Sequence, residues 1–86
     1  MDVAIDLKLN AKMMEKQAAK IEAQEAQQRK KIIEALNKGQ TENAKIYAET
    51  VIRTRKEAIS TRRFSVKMSA LAMKIESAAR TQQMSE

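Results

Sequence analysis

Between residues 2 and 37, apolar side chains recur at steps of four and three through Leu7, Ala11, Met14, Ala18 and Ile21, then return at Ile32 and Ala35. This spacing comes back to one side of a helix and predicts a narrow apolar stripe of the coiled-coil kind. Glu25 and Gln28 interrupt it, so the middle of the stripe is polar. From Thr41 to about residue 84 the pattern is again helical, but on a 3.6-residue wheel it resolves into more than one apolar row. Ala48, Ile52, Ile59, Val66, Ala70 and Met73 share one face, which we assign to the first helix. Ile46, Phe64, Met68, Leu71 and Ile75 fall on a different face. A two-helix hairpin cannot cover both. Phe64, Met68, Leu71 and Ile75 are therefore expected to meet more of the same polypeptide, another subunit or a partner.

The chain has one glycine and no proline, so a single break decides its architecture. Gly39 lies in Asn37-Lys38-Gly39-Gln40, and glycine is the usual residue just past a helix end because it enters the left-handed region without a Cβ clash. Thr41 can cap a new helix, with Glu42 suiting its positive end. The expectation is an all-α, coiled-coil-like antiparallel hairpin: a first helix over about 2–37, a turn at 38–40, and an extended second helix over about 41–84. Its seam would set Leu7, Met14, Ile21 and Ile32 against Ile52, Ile59, Val66 and Met73. The helices would measure about 54 Å and about 65 Å. Such a hairpin encloses no interior and should seek a partner. Six methionines supply adaptable apolar surface.

Charge narrows the partner. Seventeen Lys and Arg against 11 Asp and Glu give a net charge of +6, which favours an anionic surface. Lys45, Lys56, Arg63, Lys67 and Lys74 line up on the wheel of the second helix, with Arg53 beside them. Together they form a candidate strip facing phosphates, with a solvated face as the plainer reading. Lys8, Lys12, Lys16 and Lys20 form a second basic row on the first helix. Membrane headgroups need only a broad positive surface. Base-stacking aromatics and a turn-plus-recognition-helix module are missing, so no nucleic acid is expected.

The chain offers little to catalysis. It has no histidine, no cysteine, no glycine-rich phosphate loop and no acidic cluster at metal-ligand spacing. No enzyme activity, metal or cofactor is expected. No apolar run approaches the roughly 20 residues needed to span a bilayer, and acids stand at the start where a secretory signal carries bases. Arg62-Arg63-Phe64-Ser65 has the form of a basophilic kinase site.

The run Asn37-Lys38-Gly39, then Ala44-Lys45-Ile46-Tyr47-Ala48-Glu49 and Ile52-Arg53, resembles the charged multivesicular body proteins of ESCRT-III, most of all the type-one subfamily. The similarity continues through Ala58, Arg63, Ser65, Ala70, Ala72, Ile75 and Ala78. Upstream it is carried by Leu7-Lys8-Leu9, Ala11-Lys12, Met14 and Lys31-Ile32. Tyr47 stands where that family often has histidine. The resemblance implies a hairpin that polymerises with itself and other ESCRT-III subunits on acidic membranes, in endosomal sorting and membrane scission. It also implies a cytoplasmic protein, peripheral on endosomal membranes. An AAA ATPase would be recruited only through a C-terminal region absent from this sequence, which ends at Glu86. The chain is thus expected to be the N-terminal half of the family's pattern. Two other readings stand beside this one: a soluble coiled-coil adaptor pairing with a longer helical partner, and a basic hairpin that binds nucleic acid.

Overall fold

A computed structural model describes residues 2–85 and contains two elements, α1 (Val3–Asn37) and α2 (Thr41–Ser85). They run antiparallel in a hairpin 72 × 14 × 14 Å in extent. The start of α1 is capped by Asp2, whose carboxylate accepts the N–H groups of Ala4 at 3.0 Å and Ile5 at 3.3 Å. Asp6 adds negative charge in the first turn, where the helix dipole favours it.

The end of α1 is set by backbone bonding around Gly39. Gln40 N–H reaches the carbonyl of Ala35 at 2.8 Å, and Gly39 N–H reaches that of Leu36 at 3.1 Å. These are the two bonds of a Schellman ending, and Gly39 sits at the left-handed position with φ 73°. A Cβ there would touch nothing within 4 Å, so the demand for glycine is conformational and not steric crowding. Replacing it would cost about 1–2 kcal/mol. The next helix starts at once. Gln40, not Thr41, holds the N-cap position, because its carbonyl already accepts Ala44 N–H at 3.0 Å while Thr41 is the first helical residue.

Burial shows which faces meet. Along α1 the residues removed from solvent are Ala4, Leu7, Ala11, Met14, Ala18, Ile21, Glu25, Gln28, Ile32 and Ala35. The corresponding row on α2 is Ala44, Tyr47, Val51, Thr54, Ala58, Thr61, Ser65, Met68, Ala72 and Ile75. Each row alternates steps of three and four without a break. This is a strict heptad seam, which winds two helices left-handedly about each other. Calling these positions a and d, an antiparallel register sets each a beside a d of the other helix. Leu7 then faces Ala72, Ala11 faces Met68, Met14 faces Ser65, and Ile21 faces Ala58. Nearly every layer pairs a large side chain with a small one, which fills the seam while keeping the backbones close.

One bond reports that closeness directly. The Ser65 hydroxyl, on a side chain in a residue only 6% exposed, donates to the backbone carbonyl of Ala11 at 2.7 Å. A side chain as short as serine reaches the other helix's main chain only if the two helices nearly touch.

The α2 half of the expected seam is therefore corrected. Ile52, Ile59, Val66 and Met73 are 57%, 49%, 63% and 64% exposed and point away from α1. Ala70, placed with them, is also exposed. Met68 and Ile75, expected to serve a partner, are half-buried in the seam instead. The physical reason is size. Close approach selects Ala58, Ser65 and Ala72 for the interface and leaves the bulkier row outside. On α1, Ile21 is buried and Leu7, Met14 and Ile32 are half-buried along the same line.

The seam's polar middle has a flaw. The side-chain carbonyl of Gln28 is buried with no hydrogen-bond partner, a state that costs on the order of 1–3 kcal/mol. Gln28→Leu is expected to stabilise the hairpin, raising the midpoint of urea unfolding; a lower midpoint would show that this amide has a partner. A second pair of variants tests the seam itself. Ala58→Leu overpacks it and should cost about 1–3 kcal/mol, whereas Ile59→Ala next door should change stability by less than about 1 kcal/mol because its side chain is already half in water. Equal losses in thermal unfolding would restore the row containing Ile59 to the interface.

Candidate anion-facing strip and subunit surfaces

The six candidate bases of α2, namely Lys45, Arg53, Lys56, Arg63, Lys67 and Lys74, are all exposed. Their arrangement differs from a straight stripe in an instructive way. In the heptad frame Lys45 lies to one side of the hairpin, Lys56 and Arg63 point directly away from α1, and Arg53, Lys67 and Lys74 lie beyond them. A row straight on a 3.6-residue wheel drifts about 20° per heptad against a 3.5-residue seam. The strip therefore winds across the back of α2. Lys45 reaches Glu42 at 3.7 Å. Among the described residues, Arg53, Lys56, Arg63, Lys67 and Lys74 make no ion pair. The α1 row winds likewise: Lys8 is held by Glu76 across the hairpin, while Lys12, Lys16 and Lys20 are exposed without an ion pair among the described residues.

Of the four residues expected to meet a partner, Phe64 and Leu71 remain available, 53% and 48% exposed. They stand seven residues apart on one flank of α2. Ile52, Ile59, Val66 and Met73 stand on the opposite flank, so α2 carries two apolar rails with bases between them. Tyr47 is half-buried at the turn end of the seam, with Lys31 Nζ 5.8 Å from its ring centroid. This contact is worth about 0.5–1 kcal/mol at an exposed site and makes Tyr47 part of the packing between helices.

Two features were not anticipated from the sequence. The first is a bidentate bond from Arg62 to Glu22, with Nε and Nη2 donating to the two carboxylate oxygens at 3.1 Å and 2.7 Å. The second is the Lys8–Glu76 pair on the same flank. Opposite charges placed symmetrically about Glu42, just past the turn, were the available signal. Hydrogen bonding from Arg62, with its positive charge, holds the Glu22 carboxyl below its ordinary value of 4.5. The same bond raises the Arg62 guanidinium. Ser65 of the kinase-like motif is in the seam with its hydroxyl occupied, so the closed hairpin does not offer it for modification.

Known proteins share this chain's sequence over both helices. It is 35% identical over 77 residues to the ESCRT-related protein CHMP1 of Oryza sativa subsp. japonica, covering 90% of this chain and 38% of that protein. It is 39% identical over 67 residues to charged multivesicular body protein 1B2 of Mus musculus, covering 78% and 34% respectively. With charged multivesicular body protein 1 of Dictyostelium discoideum it shares 34% over 74 residues, 86% of this chain and 38% of the relative. The chain belongs to the charged multivesicular body protein 1 family. It spans less than two-fifths of the length of these relatives. No family model and no solved structure matches it. A match of 77 residues is longer than either helix, 35 or 45 residues, so what is shared with the charged multivesicular body proteins is the hairpin and its turn.

The Glu22–Arg62 bond gives the hairpin a defined acid sensitivity. Because the carboxyl is lowered in the folded chain, its contribution is present above about pH 4.5 and is lost as pH falls through the lowered value. Glu22→Gln is expected to flatten this part of the stability profile, read by thermal melts between pH 6 and pH 3. An unchanged profile would assign the acid limb to other carboxylates.

Proposed function

We propose that the hairpin is a non-enzymatic building block of an ESCRT-III-type polymer that remodels acidic membranes in endosomal sorting and multivesicular body formation, including membrane scission. The observation carrying this reading is the unneutralised basic strip of Arg53, Lys56, Arg63, Lys67 and Lys74 on the side of α2 away from α1. Each base held at an anionic lipid surface contributes about 1 kcal/mol. One hairpin then binds weakly, and an array of them binds tightly through multivalency. No helix of the described residues is long and apolar enough to cross a membrane, so attachment through this strip would be peripheral. The location that follows is the cytoplasmic face of endosomal membranes.

The two apolar rails support the polymer half of the reading. They lie on opposite flanks, and a contact joining one flank of a subunit to a different surface of the next repeats from subunit to subunit, as an open filament wherever its rotation does not close. Phe64 and Leu71 are the side chains we assign to contacts with other ESCRT-III subunits. An AAA ATPase would engage through family segments outside this chain.

Charge reversal tests the assignment. A variant carrying Lys56→Glu, Arg63→Glu and Lys67→Glu is expected to lose co-sedimentation with phosphatidylserine-containing vesicles while keeping its helical circular dichroism. Wild-type binding should weaken as salt rises. Full retention by the triple variant would remove the strip from the membrane contact. Equal binding to duplex DNA and to vesicles would favour a nucleic-acid role. If Phe64→Asp and Leu71→Asp abolish partner binding while the charge reversals change nothing, the chain is an adaptor.

A further inference from the structure

Ser65 is the one hydroxyl of the chain with bases both two and three residues before it, Arg63 and Arg62, and an apolar residue, Val66, follows it. Arginine-directed protein kinases read this charge pattern by setting carboxylates against the two guanidinium groups. In the closed hairpin two parts of the pattern are tied to α1. The Ser65 hydroxyl, in a residue 6% exposed, donates to the Ala11 carbonyl at 2.7 Å. The Arg62 guanidinium holds both carboxylate oxygens of Glu22. Arg63, by contrast, is exposed and makes no ion pair among the described residues. Both ties lie in the part of α2 that packs on the first turns of α1, toward the end of the hairpin where no turn joins the helices. Local opening costs least toward such unjoined ends.

We propose that Ser65 is a phosphorylation site of an arginine-directed protein kinase, offered only by the opened hairpin, and that its phosphate then holds the hairpin open. Transfer requires the hydroxyl in line with the γ-phosphate of ATP, a place that a side chain wedged against α1 cannot take. Once the hairpin opens, the Ser65 oxygen attacks the γ-phosphorus of Mg-ATP. The Oγ–P bond forms, the bond from that phosphorus to the bridging oxygen of ADP breaks, and the hydroxyl proton passes to the catalytic carboxylate of the kinase. Three consequences oppose reclosure. The modified oxygen has no proton to donate, so the Ala11 carbonyl loses its partner. The phosphate carries a charge of about −1.5 to −2 into a layer where Ala11 and Ala18 are nearly inaccessible. Burying an unpaired charge costs far more than the hydrogen bond it replaces contributes. Arg62, one turn earlier on the same side of α2, can reach the phosphate and is thereby drawn away from Glu22. One modification thus removes both ties between the helices. This inference does not rest on the membrane reading.

The test incubates the full chain with Mg-ATP and the catalytic subunit of cyclic-AMP-dependent protein kinase, an arginine-directed enzyme, and locates the phosphate by mass spectrometry. Phosphate is expected on Ser65. Ala72→Leu, which overpacks the seam one heptad nearer the open end, should be phosphorylated at least about fivefold faster than the unaltered chain. Glu22→Gln, which frees Arg62 without entering the seam, should also be faster. Arg63→Ala should be slowed at least about tenfold with its helical circular dichroism unchanged, because that side chain takes no part in closure. The phosphorylated chain should melt at a lower temperature than the unmodified one, and by a larger drop than Ser65→Ala produces. That comparison separates the effect of the phosphate from loss of the bond to Ala11. No phosphate on Ser65 in any of these chains, equal rates for the unaltered, Ala72→Leu and Glu22→Gln chains, or an unchanged melting temperature after phosphorylation would each overturn the proposal.

Discussion

The constraint on which this hairpin depends is close approach along a heptad seam. Ala11, Ala18, Ala58, Ser65 and Ala72 are nearly inaccessible, and each stands where a larger residue would push the helices apart. Their own burial contributes little, because alanine has little area to remove from water. Their effect is to let Leu7, Met14, Ile21 and Met68 reach the opposite helix and to bring Ser65 within hydrogen-bond distance of a main-chain carbonyl. The left-handed winding follows from the same rows, since a seven-residue repeat keeps facing a partner only if the helices coil.

That constraint also explains what the sequence made legible and what it hid. The turn could be read because Gly39 is the single residue suited to a positive φ. The α1 stripe could be read because Leu7, Met14, Ile21 and Ile32 are large apolar side chains that mark the buried side. On α2 the buried side is marked by Ala, Thr and Ser at many positions, and these look like surface. The larger Ile52, Ile59, Val66 and Met73 drew the assignment although they face outward. Size was mistaken for burial. A usable signal was present in the seven-residue recurrence of small side chains at Ala44, Ala58, Ser65 and Ala72, mirrored by Ala4, Ala11 and Ala18. The basic strip was legible as a set of residues, but its path was not. A straight wheel ignores the coil, and the coil turns a line into a band crossing the back of α2.

The seam's economy leaves the rest of the molecule unusually apolar for its exposure. Fourteen large hydrophobic residues among those described are half or more exposed, or close to it, and a two-helix layer has no third element to receive them. Interhelical polar contacts do not compensate. Glu22–Arg62 and Lys8–Glu76 are open to solvent, where water and salt screen ion pairs and leave them little net stabilisation. They set register and flank identity more than stability. Further packing on this apolar surface would add to the hairpin's stability, and its relatives in the charged multivesicular body protein 1 family are more than twice as long as the matching segment.

The distribution of surfaces around α2 decides whether its candidate roles compete. In the heptad frame the Ile52–Met73 rail and the Phe64–Leu71 rail are separated by the edge carrying Arg53, Lys56, Arg63, Lys67 and Lys74. A subunit seated on the Phe64–Leu71 rail leaves Lys56 and Arg63, which point directly away from α1, in solvent. Contact with a neighbour and anion binding would then draw on different sides of one helix, so the geometry permits both at once.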